Sequence, residues 1–190
     1  LSGGATEVCL QLIQHLSSDV DVSVAYLGGQ ATRAEAFEDL EVPIYRLADS
    51  PWSFEALSSL HRLLSEGNFD LLHTHMMVGG LLGRPLAALT DVPVIHTQHT
   101  NYARRTLPAK YLDMVSAPFG DMAVCVSQSV EESLPWFYAS DTSVIHNCIN
   151  VDQIREQGES DWSTLGWTAD VDPSAPVIAN VARYDPKKRR

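Results

Sequence analysis

Lysine is what this chain most lacks. Its 190 residues hold only Lys110, Lys187 and Lys188, and all basic residues together number 13 against 24 acidic ones, a net charge of −11. That balance excludes nucleic acid as the main partner, because binding phosphates needs a clustered positive surface. Surplus carboxylate with scarce lysine suits a salt-rich cytoplasm, where close like charges are screened, so a halophilic source is expected. Cysteine is scarce too. Cys9, Cys125 and Cys148 form no C-x-x-C pair and lie in apolar or strand-like runs. They read as reduced, mostly core residues of a cytosolic protein. No apolar run approaches the roughly 18 residues of a membrane span, and no segment reads as a signal peptide.

What is present is enough for a core: 45% of the residues are hydrophobic, and 19% charge is too little for a disordered acidic tail. Short apolar runs at 22–27, 43–47, 70–74, 93–97, 122–126, 143–146 and 176–181 read as strands. Many are apolar at consecutive positions, as strands covered on both faces are. Amphipathic stretches intervene. Val8, Cys9, Leu12, Ile13 and Leu16 form one stripe, and Phe54, Leu57, Leu60, Leu63 and Leu64 another. Residues 79–89 and 109–115 fill two further gaps, and Ser129 with Glu132 offers a capping box. This alternation predicts an α/β fold with a doubly wound, Rossmann-like parallel sheet. Residues 155–175 turn polar and read as a connection between domains, after which a new strand opens. The expected division is 1–154, 155–175 and 176–190. The opening on Leu1 and the close on a basic run suggest cuts through a longer sequence.

Such a sheet binds ligands beyond the carboxyl ends of its strands. Gly3 and Gly4 precede a helix, where free N–H groups suit an anion such as a diphosphate, or merely make a turn. His73 and His75 end the strand DLLHTH and share one face. That spacing suits two ligands of one zinc, as in a zinc hydrolase, or simply a strand terminus. His99 closes the next strand, where an imidazole could donate to a substrate oxygen, while His96 belongs to the sheet. Asn147 follows the strand SVIH in what reads as a tight turn. Arg183 and Lys188 stand five apart on a proline-containing loop, able to close on a phosphate or to lie solvated. Arg104, Arg105 and Lys110 form a basic, partly aromatic patch directly after His99. It suits an anionic acceptor (a phosphorylated sugar, a lipid phosphate or a membrane surface), or pairs with local carboxylates.

Read in order, Gly3-Gly4-Ala5, DLLHTH, PVIHTQHTNY, AVCVSQSVEESL, SVIHNCIN and NVARYDPKKR resemble glycosyltransferase family 4, of the retaining GT-B type. The last segment is similar to the family's GR-x-x-x-x-K signature. The resemblance covers almost the whole chain as an acceptor-side domain and the start of a nucleotide-sugar domain. It implies a retaining, metal-independent hexosyltransferase with no cofactor, whose substrates are a nucleotide-diphosphate sugar and a sugar, lipid or other small acceptor. Gly3, Gly4, Arg183 and Lys188 would hold the donor diphosphate. His99 would lie near the reacting sugar, and His75, Ser127 and Asn147 would line the cleft. Cys148, Ala182 and Asn150 depart from the Gly, Gly and Asp common at these turns. The paired glutamates and nucleoside pocket would lie beyond Arg190, so these residues alone are expected to be inactive. The resemblance implies a cytoplasmic protein, with peripheral contact at the inner membrane face as a further expectation. A non-catalytic module that binds sugars or nucleotides is the alternative outside catalysis.

Overall fold

The computed structural model describes residues 4–27, 35–138 and 141–157. The chain divides into two compact units, 1–149 and 150–190. Of the second, helix α7 (Val151–Gln157) is described. The expected strand at 176–181 and the connection at 158–175 lie outside the described residues.

The first unit alternates strand and helix as the runs predict. It orders as α1 (Gly4–His15), β1 (Val24–Tyr26), α2 (Glu35–Glu38), β2 (Ile44–Arg46), α3 (Phe54–Glu66), β3 (Leu72–His75) and α4 (Met76–Leu89). There follow β4 (Val94–Gln98), α5 (Leu107–Ser116), β5 (Met122–Cys125), α6 (Gln128–Glu131) and β6 (Asp141–Val144). Every strand pair is parallel: β1 with β2, and β3-β4-β5-β6 in chain order. The arrangement is α/β and Rossmann-like, with its hydrogen-bonded ladder split into a two-stranded and a four-stranded sheet. Parallel neighbours need crossovers, and the helices supply them.

Helix faces differ in detail from the expected stripes. In α3 the buried line is Ala56, Leu60 and Leu64, while Phe54 is 83% exposed. Residues i, i+4 and i+8 stack on one face, and Phe54 falls well off that line. Of this line, Leu60 and Leu64 pack with Leu47, Ala87, Val92 and Val94 into the main apolar core. In α1 the buried residues are Thr6, Leu10 and Gln11, and Leu12 and Leu16 face outward. The Ser hydroxyl that caps α6 belongs to Ser127, which accepts from the Val130 N–H at 3.3 Å, and not to Ser129. Ser127 has the extended backbone an N-cap requires. Cys125 is buried, but Cys148 is exposed, outside the expected core.

Helix α4 lies unusually close to the sheet. A Cβ on Gly80 would stand 2.6 Å from His96 Cε1, and one on Gly83 would stand 2.6 Å from Thr74 Cγ2. Gly80→Ala is therefore expected to destabilise by about 1–3 kcal/mol, because a packed interior yields little. Urea unfolding of the variant beside the parent checks this; an unchanged midpoint would refute the close approach.

Candidate functional site

Parallel register brings four strand ends to one edge of the larger sheet. His75 pairs in register with Thr97, Gln98 with Cys125, and Cys125 with Val144. The ladder runs on past the strands: Val126 N–H donates to Gln98 O at 3.3 Å and Ile145 N–H to Cys125 O at 2.9 Å. His75 thus ends β3, and His99, Ser127 and Asn147 follow the carboxyl ends of β4, β5 and β6, the ligand-binding edge of such a sheet.

Alternation then sorts the side chains of β3 and β4 onto two faces. On one face stand His73, His75, Thr97 and His99. His73 Nε2 lies 2.7 Å from Thr97 Oγ1, and His75 Nδ1 lies 3.1 Å from His99 Nε2, so one of that pair carries the hydrogen and the other accepts. The His73 and His75 rings are 4.3 Å apart between centroids, those of His75 and His99 5.4 Å. Burial first, then repulsion from His73 and His99, depresses His75 from 6.5 to about 3. Burial also lowers His73, with a further push from His99, and burial lowers His99. All three imidazoles are neutral at pH 7, fit to donate and accept hydrogen bonds rather than to attract an anion by charge.

The strand-to-helix junction below this cluster is strained. His75 is the N-cap of α4, and the next residue, Met76, has φ 64°. A non-glycine residue in that region costs about 1–3 kcal/mol and persists only where the surroundings fix it. Here it swings the chain sharply from β3 into α4, leaving the His75 ring against His99.

Toward the carboxyl ends, the opposite face of β3 and β4 is polar and buried. Thr74 Oγ1 lies 2.9 Å from His96 Nδ1, and His96 Nε2 lies 3.3 Å from Gln98 Oε1. Gln98 Oε1 also accepts from Arg105 Nη2 at 2.7 Å and from Tyr138 Oη at 3.1 Å, while Gln98 Nε2 donates to Thr100 O at 2.8 Å. Asp113 takes both guanidinium groups, Arg84 on Oδ1 and Arg105 on Oδ2. Arg84 donates further to Ser116 Oγ at 3.0 Å and Gly80 O at 2.9 Å. Its Nη1 has no hydrogen-bond partner among the described atoms, and its guanidinium stacks over the Tyr138 ring at 5.3 Å. Burial and then the charge of Arg84 hold His96 well below its usual value. Burial and then Asp113 push the Tyr138 phenol up to about 12. The network ties the 99–105 loop to the sheet through Gln98 and Arg105. That loop carries His99.

The expected site residues therefore separate. His75 and His99 touch. Ser127 and Asn147 stand at the same sheet edge, Ser127 half-buried as a cap and Asn147 exposed. Gly4 opens α1 and is exposed. Gly3, Arg183 and Lys188 lie outside the described residues. Arg104 is exposed, and Lys110 holds its ammonium 5.8 Å from the Tyr102 ring centre. Arg105 is different: its side chain is 9% exposed and bound to Asp113 and Gln98, so it offers no free face to an acceptor. Sequence reasoning missed Arg84, Gln98, Asp113 and Tyr138. The signal was a lone arginine in the apolar helix MMVGGLLGRPLAAL, which needs a buried counter-charge. Among the described residues no three His, Cys, Asp or Glu side chains are placed to hold a metal.

Residues 2–153 match the family described as Glycosyltransferase Family 4. The chain is similar to a "UDP-Gal:alpha-D-GlcNAc-diphosphoundecaprenol alpha-1,3-galactosyltransferase" of Escherichia coli, 33% identical over 85 residues. That match covers 41% of this chain and 22% of the relative. It is also similar to a "D-inositol 3-phosphate glycosyltransferase" of Pseudarthrobacter chlorophenolicus, 37% identical over 46 residues, or 24% of this chain and 11% of that one. The chain thus spans a minor part of the length of either relative. With its strand-end site and its match over most of its residues, the chain belongs to glycosyltransferase family 4.

Proposed function

We propose that the protein is a retaining glycosyltransferase of hexosyltransferase type, with this chain as its acceptor-side domain. It moves a sugar from a nucleotide-diphosphate donor to a sugar, lipid or other small acceptor, without a metal or further cofactor. The carrying observation is the neutral His75–His99 pair at the ligand-binding edge of a family 4 domain. His99 hydrogen-bonds the donor sugar or orients the acceptor. His75 is a positioning residue that fixes the tautomer and ring plane of His99. Gly3 and Gly4 face the donor diphosphate, and Arg183 and Lys188 neutralise it as it leaves, where charge builds in the transition state. Ser127 and Asn147 line the cleft.

The acceptor is anionic in this reading and meets Arg104 and Lys110. Both relatives' names contain a phosphorylated compound, which supports it. No described helix is long and apolar enough to cross a membrane. The protein works in the cytoplasm, at or near the inner membrane face, and its carboxylate surplus suits a salt-rich cell.

The test is turnover by the full-length protein with uridine, guanosine and adenosine diphosphate sugars. Release of nucleotide, an unchanged anomeric configuration by NMR and indifference to a chelator are expected. An inverted product, or no release with any donor, would overturn the reading.

A further inference from the structure

Helix α5 is built inside out. Between residues 107 and 119 the buried positions are Asp113, Ser116 and Ala117, and every exposed position is apolar or aromatic. Leu107 is 69% exposed, Tyr111 64% and Val115 67%, with Leu112, Met114 and Phe119 also open. At 3.6 residues per turn Leu107, Tyr111, Met114 and Val115 fall in one arc of about 100°. The cause is the network beneath. Asp113 and Ser116 must face Arg84 and Arg105, so the polar side turns inward and the apolar side is left to water. A contiguous apolar face of this kind marks a contact with a partner or a lipid surface.

Charge decides between the occupants. Arg104 and Lys110 sit at the start of this face and form no ion pair among the described residues, whereas Arg46, Arg84, Arg105 and Arg155 are all paired. The segment's sole carboxylate, Asp113, is buried. A second copy docked symmetrically would bring four cations together with no acid to meet them. An anionic lipid surface satisfies both halves: headgroups take the cations and the acyl boundary takes the apolar arc. We propose that α5 and the turn after it, residues 107–119, dock the protein on an anionic membrane surface. With a net charge of −11 the chain as a whole is repelled from such a surface, so docking needs a local patch that is both cationic and apolar.

The experiment is co-sedimentation of the full-length protein with phosphatidylcholine vesicles, with and without about one-third phosphatidylglycerol. Binding to the anionic vesicles is expected, weakened at high salt, with Val115→Asp lowering the partition about tenfold or more. Leu107→Ser is a milder second variant on the same arc, and thermal melting confirms that both are folded. Arg104→Glu with Lys110→Glu should lower binding severalfold and remove its salt dependence. Three outcomes overturn the proposal: no vesicle binding, binding that Val115→Asp leaves unchanged, or a dimer that Val115→Asp merely splits in sedimentation velocity. The readout needs no turnover, so its failure and the failure of the transferase reading are separate results.

Discussion

His99→Ala in the full-length protein is expected to lower kcat/KM by about 10²–10³-fold, the scale of losing one positioned hydrogen-bonding or proton-handling group. His75→Ala should cost about tenfold, because it removes only the group that orients His99. The decisive comparison is the double variant. If His75 acts through His99, then losing both costs no more than losing His99 alone. Additive losses in kcat/KM would give His75 a separate role and refute the positioning argument. The pH profile supplies a second readout. His75 sits at about 3 because burial and two neighbouring imidazoles oppose its charge. Burial lowers His99 as well, so activity should hold down to the ordinary imidazole midpoint near 6.5 and decline only below it. Stability moves with the same sign. Below 6.5 the unfolded chain binds protons that folded His75 refuses, so its contribution is intact above 6.5 and is lost progressively toward about 3. His75→Gln should flatten that acid decline in a series of unfolding curves.

Asp113→Ala carries the largest expected effect on stability. The carboxylate is fully buried and answers two guanidinium groups, one of them on Arg84, itself 1% exposed. Removing it leaves buried positive charge without a partner, which costs about 3–5 kcal/mol. That is a large share of the roughly 5–15 kcal/mol that holds a domain together. Melting should fall by about 6–20 °C for a domain of this size, if the variant stays soluble. Pairing Asp113→Leu with Arg84→Met should recover at least half of the loss, since apolar residues of similar volume replace buried ion pairs well. A single variant that melts with the parent, or a double variant no better than the single, would show that the pair does not hold α4 to α5.

The first prediction concerns imidazoles at two strand ends, the second a carboxylate on a helix, and the sequence revealed them unequally. The His73–His75 stripe and His99 were legible because strand alternation is a local rule, and it places like-numbered residues on one face whatever surrounds them. The alternation of apolar runs with amphipathic stretches gave the parallel α/β fold for the same reason. The order of motifs gave the family. Local rules also misplaced detail: both Ser127 and Ser129 can cap, and only the path of the chain out of β5 selects Ser127.

What the tertiary structure alone decided is where charge goes. Arg84 and Asp113 are 29 residues apart, on different helices, and nothing local pairs them. Once they meet, Arg105 is drawn inward out of the basic patch read from the sequence. Helix α5 must then turn Asp113 and Ser116 to the core and show its leucine, tyrosine and valine side chains to the outside. A sequence fixes which residues alternate along a strand or a helix, because that periodicity is set by backbone geometry. Which side of a helix faces inward is set by partners across the fold, and here one buried carboxylate outweighs an entire apolar face.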